Sequence, residues 1–258
     1  MLGLTVLGSG SAGNALMIHG KSGSLLLDAG FSYKELQRRL ATAGRDLADV
    51  RAILVSHEHS DHTKGLRVTA KNLGVPVYCN RGTGEMMKGK RHCPDRLHLF
   101  TPGAPFGVEE FRIQAFSIPH DAMDPVGFVI EADGHRIGVA TDLGHASNLV
   151  QHQLRECDIL VVESNHDLEL LRQSPRPWHL KQRIISRHGH LSNEASMKLL
   201  AGILHARTRH VVLAHASREC NRYELVADCA RTSLHLLGRA DIAVLVARQE
   251  SPLPTVWL

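Results

Sequence analysis

Apolar and polar positions alternate in short blocks along this chain. Residues 2–7, 15–19 and 24–27 are apolar runs, too short for helices, with a glycine-rich turn at 8–13 between the first two. They predict three opening strands. Residues 31–43 place Leu36 and Leu40 at helical spacing and stop at Gly44, which predicts a helix. Residues 52–55 read as a buried strand, 66–73 as a helix ending at Gly74, and 76–78 as a further strand. The stretch 97–140 is strand-rich: 111–116 alternates with period two, and 126–131 and 136–140 flank Asp133-Gly134, a hairpin turn. A helix at 147–155 leads to a strand at 159–162. Helix 193–205, strand 210–214, helix 223–237 and strand 242–246 complete the chain. No repeat, low-complexity segment or linker interrupts it. Strands first, then helices and strands in alternation, predict an α/β (α+β) sandwich of sheets between helix layers, in a single domain over 1–258.

The strand at 52–55 runs directly into Ser56-His57-Glu58-His59-Ser60-Asp61-His62. In an extended chain His57 and His59 project to the same side, because side chains alternate. Asp61 and His62 then sit where the next turn or helix begins. Imidazoles crowded this closely in a buried place would repel one another if protonated. A divalent cation removes the conflict, and imidazole with carboxylate suits zinc, manganese or iron. A solvated polar loop is the other reading, and it leaves the position at the end of a buried strand unexplained.

Composition sharpens this picture in a few places. With 258 residues, 43% hydrophobic and 22% charged, the chain can bury a core without disulfides or structural metals. Aromatics make up only 4%, so that core must be aliphatic. No apolar run approaches the ~20 residues of a membrane span. No basic region precedes the short N-terminal apolar stretch, which argues against a signal peptide. The 5 cysteines are odd in number and lack Cys-x-x-Cys spacing, as expected of free thiols in a reducing cytoplasm. Histidine is abundant at 18 residues, and the net charge of +4 permits a polyanionic partner without demanding one. Collagens, disordered tails, membrane proteins and disulfide miniproteins are excluded.

The His-x-His-x-Asp-His string resembles the second motif of the metallo-β-lactamase fold, and the family's other motifs follow in order. Asp28 in Leu25-Leu26-Leu27-Asp28-Ala29-Gly30 resembles the early strand-end Asp that supports the site. His120 in Ser117-Ile118-Pro119-His120-Asp121 resembles the third-motif His, Asp142 in Ala140-Thr141-Asp142-Leu143-Gly144 the bridging Asp, and His215 in Leu213-Ala214-His215-Ala216-Ser217 the final His. Each falls at the C-terminal end of an expected strand, where an open αβ sheet presents its site. The resemblance implies an αββα sandwich of two mixed β-sheets flanked by helices. It also implies two divalent ions, Zn²⁺ or Mn²⁺ with iron as a further option, roughly 3.5–4 Å apart around a bridging hydroxide. His57, His59 and His120 would hold one ion, Asp61, His62 and His215 the other, and Asp142 both. His59 where the flavodiiron branch has Glu, and Asp142 where the antibiotic-degrading branch has a Cys-containing site, separate this chain from those two.

Further strings narrow the group: Gly8-Ser9-Gly10-Ser11-Ala12-Gly13-Asn14, His120-Asp121-Ala122-Met123-Asp124-Pro125-Val126-Gly127-Phe128, Glu163-Ser164-Asn165-His166-Asp167 and Gly189-His190-Leu191-Ser192-Asn193. Together they are similar to the YycJ/WalJ/VicX group, which implies a 5′-to-3′ DNA exonuclease. The chain departs from the group's pattern at Ala216 and Tyr223. His190 resembles the histidine of the Gly-His-Ser-Thr loop in tRNase Z nucleases, which contacts the scissile phosphate, so His190 and Asp61 are the catalytic candidates. His166 is a candidate support, and the remaining histidines, His19 and His188 among them, are read as surface or core. The Gly8–Gly13 turn lacks dinucleotide-fingerprint spacing and is expected to pack beside the site with backbone N–H groups near a phosphate. Two basic groups stand out: Arg81, Lys88, Lys90, Arg91 and Arg96, and Arg172, Arg176, Lys181, Arg183 and Arg187. The second leads into the His190 loop and is expected to meet a nucleic acid, most readily DNA. The alternative is a small-molecule hydrolase of the same fold acting on a lactone, thioester or cyclic phosphodiester.

Overall fold

Every strand of the chain joins one of two sheets, and a computed structural model describes residues 1–258. The first part runs β1 (Gly3–Gly8), β2 (Ala15–His19), β3 (Ser24–Leu27), α1 (Tyr33–Thr42), β4 (Val50–Leu54), α2 (Ser60–Thr63), α3 (Leu66–Leu73), β5 (Val77–Asn80), α4 (Arg81–Met87) and β6 (His98–Phe100). The second runs β7 (Phe106–Val108), β8 (Phe111–Ser117), β9 (Val126–Ala132), β10 (His135–Ala140), α5 (Asn148–Leu154), β11 (Ile159–Glu163), α6 (Leu168–Gln173), α7 (Trp178–Ile185), α8 (Asn193–Ile203), β12 (His210–Ala214), α9 (Tyr223–Leu236), β13 (Ala243–Val246) and β14 (Val256–Trp257). Both sheets are 7-stranded, ordered β14-β1-β2-β3-β4-β5-β6 and β13-β12-β11-β10-β9-β8-β7. Each is mixed. β14, β1, β2 and β3 pair antiparallel, then β3 to β6 parallel. β7 to β10 pair antiparallel, then β10 to β13 parallel.

Strand periodicity explains the layers. Leu4, Val6, Leu16, Ile18, Leu25 and Leu27 point from the first sheet onto Ile113, Phe128, Ile130, Ile137, Val139 and Val161 of the second. The intervening residues face outward. Met17, Leu26 and Ile53 pack under Leu36 and Leu40 of α1 and Leu66 of α3, while Val129, Leu160 and Val211 pack under α5, α8 and α9. β4, β11 and β12 are apolar on both faces because helices cover their outer side. The αββα sandwich expected from the sequence is what the chain forms. The Asp133-Gly134 hairpin is also present, with both residues at positive φ (54° and 78°), as a two-residue type I′ turn requires.

Several elements lie outside the sequence reading: α4, α6, α7 and β14, with β6 and β7 inside the stretch recognised only as strand-rich. α6 and α7 each bury a single residue, Leu171 and Ile184, so no apolar stripe announces them. α6 is instead set by Asp167, whose carboxylate accepts the N–H groups of Glu169 and Leu170.

His19 shows how burial couples the fold to pH. Its ring nitrogens lie 2.7 Å from Thr5 Oγ1 and 3.1 Å from Ser24 Oγ. Burial, helped by Arg45, lowers its pKa from 6.5 to about 4. The folded state therefore resists the proton that the unfolded chain takes up. The contribution is complete above pH 6.5 and is lost as pH falls through the window down to about 4. Between about pH 7.5 and about pH 4.5, wild type should lose up to ~3 kcal/mol more stability than His19→Gln. Denaturant melts of both proteins at each pH check this, and an equal loss in the two would contradict it.

Candidate metal centre

The strand ends aim side chains at one point between the sheets. Asp28 follows β3, His57 lies just beyond β4, His120 beyond β8, Asp142 beyond β10 and His215 directly after β12. Asp28, Asp142 and His215 turn through left-handed backbone, at φ 62°, 56° and 56°. Such geometry costs energy for a side-chain-bearing residue and persists where surroundings enforce it. Here each strand breaks sharply and its terminal side chain swings into the centre. His59 caps α2, and Asp61 and His62 lie in its first turn.

Every candidate ligand from the sequence is brought together. The donor atoms of His57, His59 and His120 form one group, Asp61, His62 and His215 another, and Asp142 joins His57 and His62; within each group the donors lie within 4.8 Å of one another. His62 Nε2 is 3.2 Å from Asp142 Oδ2, His215 Nε2 is 3.5 Å from Asp142 Oδ1, and His120 Nε2 is 3.8 Å from the same oxygen. Asp61 Oδ2 lies 3.6 Å from His62 Nε2 and 3.7 Å from His215 Nε2. Ligands about 2.1 Å from a tetrahedral ion stand about 3.4 Å apart, so these are ligand-to-ligand separations. Asp142 Oδ2 and His215 Nε2 are buried and have no hydrogen-bond partner. Orphaned donors of this kind are what a divalent ion satisfies, so the residues fit one or two such ions.

The outward nitrogens of the same rings are held. Asp28 Oδ2 accepts from His62 Nδ1 at 2.7 Å and from Ser56 Oγ at 2.8 Å. Gly189 O lies 3.2 Å from His120 Nδ1. Glu163, the last residue of β11 and fully buried, takes four hydrogen bonds. Its Oε1 accepts from His190 Nδ1 at 2.8 Å and His215 Nδ1 at 3.0 Å, and its Oε2 from the N–H groups of Leu143 and Leu191. These bonds fix tautomer and ring direction. Gly30 lets the backbone close up, since a Cβ there would lie 1.7 Å from Asp61 O. Asn14 N donates to that same carbonyl at 2.7 Å, while the Asn14 side-chain nitrogen lies 3.0 Å from His62 Nε2.

Charge is balanced unevenly across the cluster. Burial, reinforced by His62, holds His57 well below the usual imidazole range. Burial also opposes a proton on His215, but Asp142, Asp61 and Glu163 outweigh it and raise its pKa to about 10. Burial opposes ionisation of Glu163, yet His190 and His215 pull it down to about 2. Burial disfavours a charged His190 too, and Glu163 prevails and raises its pKa. The carboxylates thus demand positive charge in a dry place, which protons or metal ions can supply.

Above the centre lies a cavity of about 230 Å³, lined by His59, Asp61, His120, Asp142, His190 and His215 below and by Ser11, Arg176, Arg183 and His188 at the mouth. His190 Nδ1 stands 4.0 Å from Asp142 Oδ1. Of the second basic group only Arg176 and Arg183 reach the cavity. Lys181 donates its ammonium to Arg172 O, and Arg187 lies 3.2 Å from His145 Nε2. Arg183 itself pairs with Asp121 at 2.7 Å. None of the first basic group lines the cavity. The glycine-rich turn does pack beside the centre; the N–H groups of Ser9, Gly10, Ala12, Gly13 and Asn14 are used within the protein, which leaves that of Ser11, at the cavity wall, for an anion. His166 is buried with neither ring nitrogen partnered, and burial lowers its pKa to about 4. In the sequence Glu163 stands out only as part of a motif, and His188 reads as a surface or core histidine. A carboxylate ending the apolar run Ile159 to Val162 was the signal for Glu163. His188 carried none.

Known proteins place this geometry. The model of the beta-lactamase superfamily domain matches residues 24–216. The chain belongs to the metallo-β-lactamase-fold hydrolases. Among its relatives, the Exodeoxyribonuclease YycJ of Bacillus anthracis is 36% identical over 226 residues, covering 87% of this chain and 86% of that protein. The Exodeoxyribonuclease WalJ of Streptococcus pneumoniae is 34% identical over 244 residues, 93% of this chain and 90% of its own length. Zn²⁺-bound PqqB from Methylobacterium extorquens has the same fold, with a TM-score of 0.74 at 17% identity over 99% of this chain and 100% of that one. This member of the family is a metal-dependent hydrolase. No helix is long and apolar enough to cross a membrane.

Asp142 joins the donor groups, so its removal is the change that separates a two-ion centre from a single-ion site. Asp142→Ala should lose both ions, whereas His57→Ala should weaken mainly one. Elemental analysis of the folded variants checks this, and unchanged metal content in Asp142→Ala would contradict the bridging position.

Proposed function

We propose that this chain is a DNA exonuclease that degrades strands from the 5′ end, with Asp61 and His190 as its catalytic residues. The observation that carries the proposal is the Glu163–His190 pair, at 2.8 Å, with His190 lining the cavity and its Nδ1 4.0 Å from Asp142 Oδ1. Glu163 holds Nδ1, which leaves Nε2 of His190 for the substrate. A histidine so held can donate to a phosphate oxygen, or pass its proton to the leaving sugar oxygen, as charge develops there. The donor set of His57, His59, His120, Asp61, His62, His215 and Asp142 would hold two divalent ions, Zn²⁺ or Mn²⁺. Bound there, the ions would activate water and offset charge on the phosphoryl oxygens. Asp61 lies at the cavity floor, where it can orient the attacking water.

Several features support a nucleic acid over a small apolar ester. Leu180 and Ile184 are the only hydrophobic side chains lining the cavity, too little apolar surface to bind a lactone or thioester well. Arg183 and His188 at the mouth can meet phosphates. YycJ and WalJ, each more than 30% identical over most of the chain, are both named exodeoxyribonucleases. A cytoplasmic setting belongs to the same reading, supported by cysteines that form no disulfide.

The test is turnover of end-labelled single- and double-stranded DNA and RNA with Mn²⁺ or Zn²⁺, beside a lactone. DNA shortened from its 5′ end, with activity abolished by chelator, is the expected result. Faster turnover of RNA or the lactone would contradict it. His190→Ala should keep its metal content but lose about 10²–10³ in turnover. Near-normal kcat in that variant would remove His190 from the chemistry.

A further inference from the structure

The cavity over the metal centre continues past its mouth. Ser11 and Arg176 line both it and a second cavity of about 180 Å³, and Ala216, Ser217 and Arg218 carry that one into a third of about 250 Å³. These adjoining cavities form a trough-like series, each sharing walls with the next, from the centre lined by His215 to the first turn of α9, at Tyr223.

Charge does not explain what this trough binds. Its arginines, Arg176, Arg218 and Arg222, are matched by Glu219, Glu224 and Glu250 along the same walls. Arg176 pairs with Glu219 at 2.9 Å and Arg218 with Glu250 at 2.8 Å. A surface so offset makes a poor phosphate clamp. It does hold a ring in place. Tyr223, half-buried, donates its hydroxyl to Glu250 Oε2 at 3.0 Å and accepts the Gln249 N–H at 3.1 Å. The Arg248 guanidinium covers the ring at 5.1 Å from its centroid, and Arg248 does not line the trough. The same Glu250 that fixes Tyr223 fixes Arg218. Tyr223 also packs against the core beneath α8 and α9, so the part of the ring that lines the cavity is held fixed and can meet a planar ligand with little further ordering.

Given the nuclease reading of the metal centre, we infer that the far end of the trough is a nucleobase subsite. A base of the substrate strand, flanking the nucleotide whose phosphate is cut, stacks on Tyr223, with Arg218 and Arg222 beside it. Base–aromatic stacking of this kind changes affinity by roughly ten-fold and tolerates any base, because each has a π-face. It also leaves the salt dependence nearly unchanged, whereas a lost single-strand phosphate contact lowers the slope by about 0.7.

The test walks one abasic residue along a single-stranded oligodeoxynucleotide and measures KM and kcat with the metal-loaded enzyme, its Tyr223→Ala variant and its Tyr223→Phe variant. Wild type should show a roughly ten-fold rise in KM at one abasic position near the scissile bond. Tyr223→Ala should show that rise on intact DNA, gain no further penalty from the abasic residue, and keep its salt slope. Tyr223→Phe, which retains the ring but loses the hydroxyl that fixes it, should keep an abasic penalty at the same position at a reduced size, and metal content should be equal in all three. A flat abasic profile in wild type overturns the subsite, even if Tyr223→Ala fails to fold. Equal abasic penalties in wild type and Tyr223→Ala overturn it too, as does a variant defect that appears only as a smaller salt slope. An enzyme that hydrolyses a small phosphodiester but no DNA strand overturns the nuclease reading, and the subsite falls with it.

Discussion

Titratable side chains are packed within a few ångströms of one another in a place almost without water. Burying charge that densely is strongly unfavourable unless each group is neutralised and hydrogen-bonded. The protein meets half of that requirement itself. Asp28 and Glu163, both buried, take the outward nitrogens of His62, His215 and His190. What stays unmet points inward, at Asp142 Oδ2 and His215 Nε2. The centre is therefore a set of donors organised around positive charge that the chain does not supply.

The same constraint explains how loops distant in sequence act as one body. Glu163 ties the Asp142 turn through Leu143, the His190 loop through Leu191 and the last core strand through His215. Gly189 O reaches His120, and Gly144 packs so tightly on the 187–189 loop that a Cβ there would lie 2.3 Å from Arg187 O. Candidate ligands and candidate acid are thus positioned by one network. A shift in any of these loops would move several of them together, which is the preorganisation that charge stabilisation in a transition state needs.

Much of this was legible in the sequence. Strands β1 to β4 and β8 to β12 announce themselves as short apolar or alternating runs bounded by turn residues, and helices α1, α3, α5, α8 and α9 by apolar residues at helical spacing. The donor cluster was legible because His57 to His62 concentrate an unusual chemistry at a strand end. The illegible parts have physical reasons. α6 and α7 each bury a single residue, and α7 lines the cavity, so composition there reads only as basic. Which of those basic residues reach the site depends on helix phase: Arg183 lines the cavity, while Lys181 turns onto a carbonyl. Glu163 was hidden because its role exists only through partners 20 to 52 residues away. The turn at Gly8 to Gly13 looked like a full anion cradle, since nothing local shows that Asn14 and Gln249 already occupy the amides of Gly10 and Ala12.

If these side chains hold two ions through Asp142, anomalous diffraction from crystals loaded with Mn²⁺ or Zn²⁺ will locate both. Two peaks about 3.5–4 Å apart are expected, with Asp142 reaching both, one beside His57, His59 and His120 and the other beside Asp61, His62 and His215. A single peak, or two that Asp142 does not join, would contradict that arrangement.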